Sequence, residues 1–226
     1  MCFSPLVMFV TFLIEFFLLF YVLWRYKRTP ISLLVVATLA CLGIFQLAEY
    51  MICGGLGFSG NEWVRLGYVT ITLLPPLGIH LITKIAQRPA KGFVAAAYLS
   101  AAVFVGYFVF APGVQLEECA PNYAIFHIGG LDTYIYAMYY YGWLLAAIGL
   151  ASQWAKNYPK KAAALRWTAI GYASFIIPTT IANIISPATI AGIPSIMCGF
   201  AVLLAIILVG RVLPLTHPQV HKKKRK

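Results

Sequence analysis

The chain has 226 residues, of which 62% are hydrophobic and 10% charged, and its mean hydropathy is +0.84. A soluble domain of this size needs a far more polar surface, so the composition excludes that class and predicts an integral membrane protein. The formal net charge of +11 would suggest a nucleic-acid partner in a soluble protein, but here the charges lie in short breaks between apolar runs. We therefore expect a lipid bilayer and no nucleic acid as the partner.

Apolar runs of about 20 residues alternate with short polar breaks along the chain. They are continuously apolar, which excludes the alternating strands of a β-barrel and predicts an all-α bundle. We expect one seven-helix transmembrane domain over residues 1–213 and a basic, disordered tail over residues 214–226. The predicted spans cover roughly residues 4–26, 31–53, 64–86, 93–111, 133–154, 166–186 and 190–212.

The distribution of charge predicts the orientation of the bundle. Every Lys and Arg except Arg65 falls at the end of the first, third, fifth or seventh span or in the tail. The positive-inside rule then places the N-terminus outside and the C-terminus in the cytoplasm. The acids of the aqueous loops all fall outside, namely Glu62, Glu117, Glu118 and Asp132.

The first two spans carry acids at membrane depth. Glu15 lies near the middle of the first span, where a carboxylate costs about 2.5 to 3.5 kcal/mol, so it is expected to face the bundle interior. In the second span Gln46, Glu49 and Cys53 share one helical face. Two interpretations stay open: a ligand or proton site, or neutral side chains that only hydrogen-bond to neighbouring helices.

The third span, Arg65–Lys84, contains a Pro75-Pro76 pair at its centre. Proline frees a carbonyl and bends a helix, so a kink is expected there, with neighbouring helices satisfying the freed carbonyl. Prolines of membrane helices often only shape packing, and that alternative stays open. The polar face of this span comprises Thr72, Pro76, His80 and Lys84.

The later spans add polar groups toward the outer side. The fifth span begins with several tyrosines, some facing lipid as an interfacial belt and some facing inward, among them Tyr136, Tyr139 and Tyr140. Asn183 of the sixth span and Ser195 of the seventh lie at a similar level. The preceding outer segment, residues 112–132, is expected to form either a lid or a disordered connection.

The sequence contains no catalytic signature. It has no Gly-rich phosphate loop and no serine nucleophile motif, and His217 and His221 fall in the predicted tail, so we expect no enzyme, no metal and no cofactor. Cys2, Cys53 and Cys119 are predicted on the outer side and are candidates for one disulfide, with the pairing left open.

Four segments carry a resemblance to known groups. The opening MCFS, FQLAE of the second span and IPSIMCGF of the seventh resemble small uncharacterised prokaryotic seven-helix membrane proteins that begin with Met-Cys-Phe-Ser. The run RLGYVTITLLPPLGIHLI resembles the third helix of the seven-helix sensor region of membrane histidine kinases. The resemblance implies a prokaryotic cytoplasmic (inner) membrane and, since no catalytic domain follows, signalling through a separate cytoplasmic protein.

Three functions are compatible with these patterns. The first is a receptor-like sensor with an outward-facing pocket for a small-molecule or lipid ligand, in which Pro75, Pro76, His80 and Lys84 act as a hinge toward the cytoplasm. The second is a proton-coupled carrier using Glu15 and Glu49, and the third is a structural or accessory subunit. The predicted ligand-binding residues are Glu15, Gln46, Glu49, Thr72, Tyr136, Tyr139, Tyr140, Asn183 and Ser195.

Overall fold

The computed structural model describes residues 5–54, 60–120, 123–129, 131, 133–186, 189 and 192–217. Within these residues, seven helical segments are long and apolar enough to cross a membrane, which confirms the predicted bundle. The helices are α1 (Pro5–Arg25), α2 (Pro30–Gly54), α3 (Gly60–Thr72), α4 (Leu74–Ala86), α5 (Lys91–Phe110), α6 (Thr133–Asn157), α7 (Ala162–Ile185), α8 (Ile193–Ile207) and α9 (Leu213–Thr216). A π-helical segment, Leu208–Val212, joins α8 to α9.

The third span consists of two helices because Pro75 and Pro76 interrupt its hydrogen bonding. α3 ends at Thr72, α4 begins at Leu74, and Leu73 lies between them with φ −80° and ψ −15°. The chain therefore continues in the same general direction, with the break at the level predicted from the prolines.

The centre of the bundle is formed by α2 and α4. α2 packs against α1, α3, α4 and α8, and α4 packs against α2, α5, α6 and α7. α1 and α5 expose most of their surface to the surroundings, as expected for helices that face lipid. A polar side chain on α2 therefore meets protein on nearly every side.

One end of the bundle carries a β-hairpin that the sequence did not predict. Its strands, β1 (Val114–Ala120) and β2 (Tyr123–Ile128), are antiparallel, with a bulge between Leu116 and Glu118. The hairpin packs on α3 and α8. Of the two alternatives for residues 112–132, a lid is the one that fits a hairpin packed on the helix ends. Asp132 lies outside the described residues.

The opposite end, which we call the basic end, carries the Lys and Arg residues that close the odd-numbered spans. There α9 continues to Thr216, and the Nε2 atom of His217 lies 2.9 Å from the Thr29 hydroxyl in the loop before α2. α9 and this contact extend the described chain to residue 217, and the predicted disorder of the tail over residues 214–226 stays a prediction. Residues 218–226, with His221, lie outside the described part of the chain.

Candidate functional site

Four polar side chains from three helices lie together inside the bundle, and we call them the polar cluster. Glu15 of α1, Gln46 and Glu49 of α2 and Ser195 of α8 are 0%, 1%, 1% and 1% exposed. Glu15 and Glu49 interact electrostatically across the α1–α2 interface, and Ser195 lies beside the Glu49 carboxyl. The structure thus places four of the predicted ligand-binding residues at one site.

A glycine allows α1 to approach α2 at this level. A Cβ atom added to Gly43 would lie 3.7 Å from Cβ of Glu15 and 2.5 Å from the ring of Phe16. The added atom would clash with the Phe16 ring and only touch Glu15, so Gly43 makes room for Phe16 in the interface next to Glu15. Gln46 and Glu49 then follow on the next turns of α2, where α8 also packs.

Most polar atoms of the cluster lack hydrogen bonds. Both carboxyl oxygens of Glu15, Oε1 of Glu49, Oγ of Ser195 and Nε2 of Gln46 are buried and have no hydrogen bond of good geometry among the described residues, although Ser195 lies within reach of the Glu49 carboxyl. An unsatisfied buried polar group costs about 1 to 3 kcal/mol, and native structures contain few of them. The number of such atoms in one place makes the polar cluster the candidate site.

The cluster is closed from the hairpin end by an aromatic layer. Tyr68 lies close enough to Glu49 to interact electrostatically, and its ring stacks on Phe108 at 4.6 Å. Phe126 of β2 meets the edge of Tyr68 at 5.6 Å. The expected outward-facing pocket is therefore shut in this structure, because these rings fill the space between the cluster and the hairpin.

A cavity of about 10 Å³ lies deeper in the bundle, next to Cys198, Tyr140 and Tyr172. This volume is enough for a single water molecule and too small for an organic ligand. The Tyr172 hydroxyl is buried without a hydrogen bond within the described part of the chain. Tyr172 and Tyr68 are not among the residues predicted from the sequence, although a tyrosine within a span is a recognisable polar signal.

Two predicted ligand-binding tyrosines instead support the helix break. Since the Thr72 hydroxyl donates to the Tyr68 carbonyl at 2.6 Å, the Tyr136 hydroxyl donates to Thr72 Oγ1 at 2.9 Å. The Tyr139 hydroxyl donates to the Thr72 carbonyl at 2.6 Å. Thr72, Tyr136 and Tyr139 thus belong to the break between α3 and α4, and their predicted contact with a ligand has no support in this arrangement.

Asn183 does not join the polar cluster. It is only partly buried near the end of α7, and its Oδ1 atom accepts a hydrogen bond of 2.8 Å from the Thr189 hydroxyl. The Asn183 side chain thus pairs with the local turn after α7, and its predicted role in ligand binding stays a prediction. Tyr140, in contrast, is buried beside Cys198 of α8, one turn from Ser195.

The predicted hinge residues follow one another from the core to the basic end. Pro75 and Pro76 are buried, His80 is partly buried and Lys84 is exposed. Nδ1 of His80 lies 3.3 Å from the hydroxyl of Tyr98 in α5. This face therefore runs from the break in the third span to the surface of the basic end.

Of the three cysteines predicted as disulfide candidates, Cys53 is the one whose side chain the structure describes. Cys53 is disulfide-bonded, whereas Cys41 and Cys198 are buried free thiols. Cys2 and the side chain of Cys119 lie outside the described residues, so the pairing stays a prediction. Among the described residues, no group of three or more His, Cys, Asp or Glu side chains is placed to hold a metal ion.

Comparisons with family models, curated proteins and solved structures gave no match to this chain.

Proposed function

We propose that this protein is a receptor-like sensor of a prokaryotic cytoplasmic membrane that binds a small ligand at the polar cluster. The supporting observation is the set of buried, unpartnered polar atoms on Glu15, Gln46, Glu49 and Ser195. A ligand that supplies their missing partners lowers the free energy of one helix arrangement relative to another, which is what a sensor requires. The aromatic layer makes this structure the closed form, and we expect the ligand to enter from the hairpin end.

The orientation in this proposal follows from charge. The basic end faces the cytoplasm, and the hairpin end faces outward. A separate cytoplasmic signalling protein would then meet the basic end, where the described surface carries basic residues from the ends of the odd-numbered spans and no acidic ones. The resemblance of the third span to kinase sensor regions fits this role.

The proposed path of coupling is α4. Its first turn follows the break held by Tyr136 and Tyr139, and beyond its last turn the Arg88 guanidinium lies 4.7 Å from the centre of the Tyr158 ring between α6 and α7. A helix whose main-chain hydrogen bonds are interrupted loses fewer of them when its angle changes than an unbroken helix does. Movement at the cluster would thus reach the α6–α7 connection through α4.

The experiment measures ligand binding and the conformational change at the basic end separately. Spin labels are placed at Lys84→Cys and Lys156→Cys, both exposed at the basic end, in protein reconstituted in nanodiscs. We screen small amines, amino acids, simple salts and a change of pH for thermal stabilisation of the wild-type protein. The stabilisation should be lost in Glu49→Gln. It should be retained in Glu117→Gln, whose side chain is exposed in the hairpin. The sensor proposal expects any such compound to change the distance between the labels. A compound that stabilises the protein but leaves that distance unchanged contradicts it.

A carrier is the second candidate because the cluster contains two carboxyl groups on adjacent helices. A carrier accumulates solute in proteoliposomes under an imposed proton gradient, and Glu15→Gln or Glu49→Gln abolishes that uptake. A sensor shows the change in label distance without uptake. If neither response occurs, the polar cluster only holds helices together, as in an accessory subunit.

A further inference from the structure

The unpartnered atoms of the polar cluster are mainly hydrogen-bond acceptors. They include both oxygens of Glu15, Oε1 of Glu49 and Oγ of Ser195, against the single amide nitrogen of Gln46. The Gln46 amide can also present its oxygen, since oxygen and nitrogen exchange by rotation about the terminal bond. The polar cluster therefore offers buried oxygen atoms from α1, α2 and α8 that can ligate a cation.

Protons alone do not satisfy this arrangement. One proton turns a single oxygen of the cluster into a donor, and the other unpartnered oxygens remain acceptors. A cation, in contrast, is held by several acceptor oxygens at once and neutralises a buried carboxylate without requiring a donor. The acceptor-rich composition thus favours a metal cation over a second proton.

The number and charge of the oxygen ligands limit the charge and size of that cation. Divalent calcium takes about six to eight oxygen ligands, and magnesium keeps several waters, whereas this site has two carboxyl groups, one hydroxyl and one amide in a closed interior. With one carboxyl ionised and the other protonated, a monovalent cation makes the site neutral. The neutral combination has the smallest desolvation cost in the bundle.

We propose that Glu15, Glu49, Ser195 and Gln46 form a binding site for a small, dehydrated monovalent cation, with sodium as its representative. Binding draws α1, α2 and α8 together around the ion and stabilises the closed arrangement. This names the ligand class of the site in the proposed sensor and in that respect rests on it. No covalent or redox step is involved.

The test measures the midpoint of thermal unfolding of the wild-type protein in nanodiscs as sodium chloride replaces choline chloride at constant ionic strength. The site predicts a saturable rise in the midpoint with sodium, a smaller rise with potassium, and weaker sodium binding at lower pH because protons compete for the carboxylates. Equal midpoints in sodium and choline overturn the proposal. This comparison needs no variant and therefore does not depend on the folding of one.

Variants assign the effect to the cluster. Ser195→Ala and Glu49→Gln are expected to weaken the sodium response about tenfold or more, whereas the exposed Glu117→Gln retains it. An unchanged sodium response in both cluster variants contradicts the assignment. Failure of the sensor is distinguishable, because sodium would then stabilise the protein without changing the distance between labels at residues 84 and 156. Conversely, if another compound changes the label distance and sodium has no effect on stability, the cation proposal is rejected and the sensor proposal stands.

Discussion

The Tyr139 hydroxyl donates a hydrogen bond of 2.6 Å to the main-chain oxygen of Thr72. In an unbroken helix that oxygen would accept from the amide of residue 76, which is Pro76 and has no N–H. A tyrosine of α6 therefore supplies the hydrogen bond that the proline removes from the third span. The break is satisfied by a neighbouring helix, as membrane helices require.

This relationship predicts a specific pattern of coupling. Tyr139→Phe leaves the Thr72 carbonyl buried without a partner and is expected to lower the free energy of unfolding by about 1 to 2 kcal/mol. In a Pro76→Ala background the restored N–H can serve that carbonyl, so the same substitution should cost less. Chemical unfolding of the four proteins in a double-mutant cycle measures the difference. An equal cost in both backgrounds would show that the hydroxyl does not replace the missing amide.

Arg65 provides a second prediction. Its guanidinium donates to the carbonyls of Phe108, Val109 and Ala111 at 2.9, 2.8 and 2.7 Å, at the C-terminal end of α5. This explains why the one basic residue predicted on the outer side is retained there, since a cation is favourable at a helix C-terminus. We expect Arg65→Gln to destabilise the protein by about 1.5 to 3 kcal/mol, measured by thermal unfolding in nanodiscs.

Arg65→Lys is the matched control for that experiment. Lysine keeps the charge but cannot present the planar fork of N–H groups that reaches three carbonyls. We expect it to recover only a minor part of the lost stability. A lysine variant as stable as the wild type would mean that charge alone, and not the fork, stabilises the end of α5.

Close packing at Gly78 gives a third prediction. A Cβ atom added there would contact the Tyr172 hydroxyl and lie 2.7 Å from the Cζ atom of that ring. Gly78→Ala is therefore expected to destabilise the bundle by about 1 to 3 kcal/mol, and Tyr172→Phe should recover part of this by removing the nearest atom. Gly106→Ala in α5 is the control, because nothing lies within 4 Å of its added Cβ. That substitution should be neutral or stabilising, and equal losses at both glycines would contradict the packing argument.

His217 gives a prediction for pH. Partial burial against the α1–α2 loop lowers the pKa of His217 from its ordinary value, which is about 6.5. Above that pH the ring is neutral in both states. As the pH falls below it, the unfolded chain takes up the proton more readily than the folded protein, so stability decreases until the folded ring is also protonated.

The measurement is the unfolding midpoint of the wild type minus that of His217→Asn, followed from neutral to acidic pH. The difference should decline on acidification. A difference that stays constant would mean that burial of His217 does not bias its protonation.

The proposed orientation is testable by labelling in intact cells. Gln115 is exposed in the hairpin, and Lys160 is exposed in the turn before α7 at the basic end. A membrane-impermeant thiol reagent should label Gln115→Cys in intact cells and Lys160→Cys only after permeabilisation, with the wild type as the blank. Labelling of Lys160→Cys in intact cells would reverse the orientation.

The sequence alone determined the class of the protein and the placement of its spans. Hydropathy and charge are properties of local segments, so apolar runs and basic loops were readable without any knowledge of neighbours. The break at Pro75 and Pro76 was equally local, because missing N–H groups interrupt a helix wherever it packs. Helical spacing also placed Gln46 and Glu49 on one face.

Only the tertiary structure decided which faces meet. The helical period shows which residues share a face of one helix, but not which helix packs against that face. From the sequence, Asn183 was therefore grouped with the polar cluster. In the structure its side chain accepts a hydrogen bond from Thr189 instead. The same limit hid the pairing of Tyr139 with Thr72 and of Arg65 with the end of α5. Glu15 meets Glu49 because α1 packs against α2 in three dimensions, which no single segment encodes.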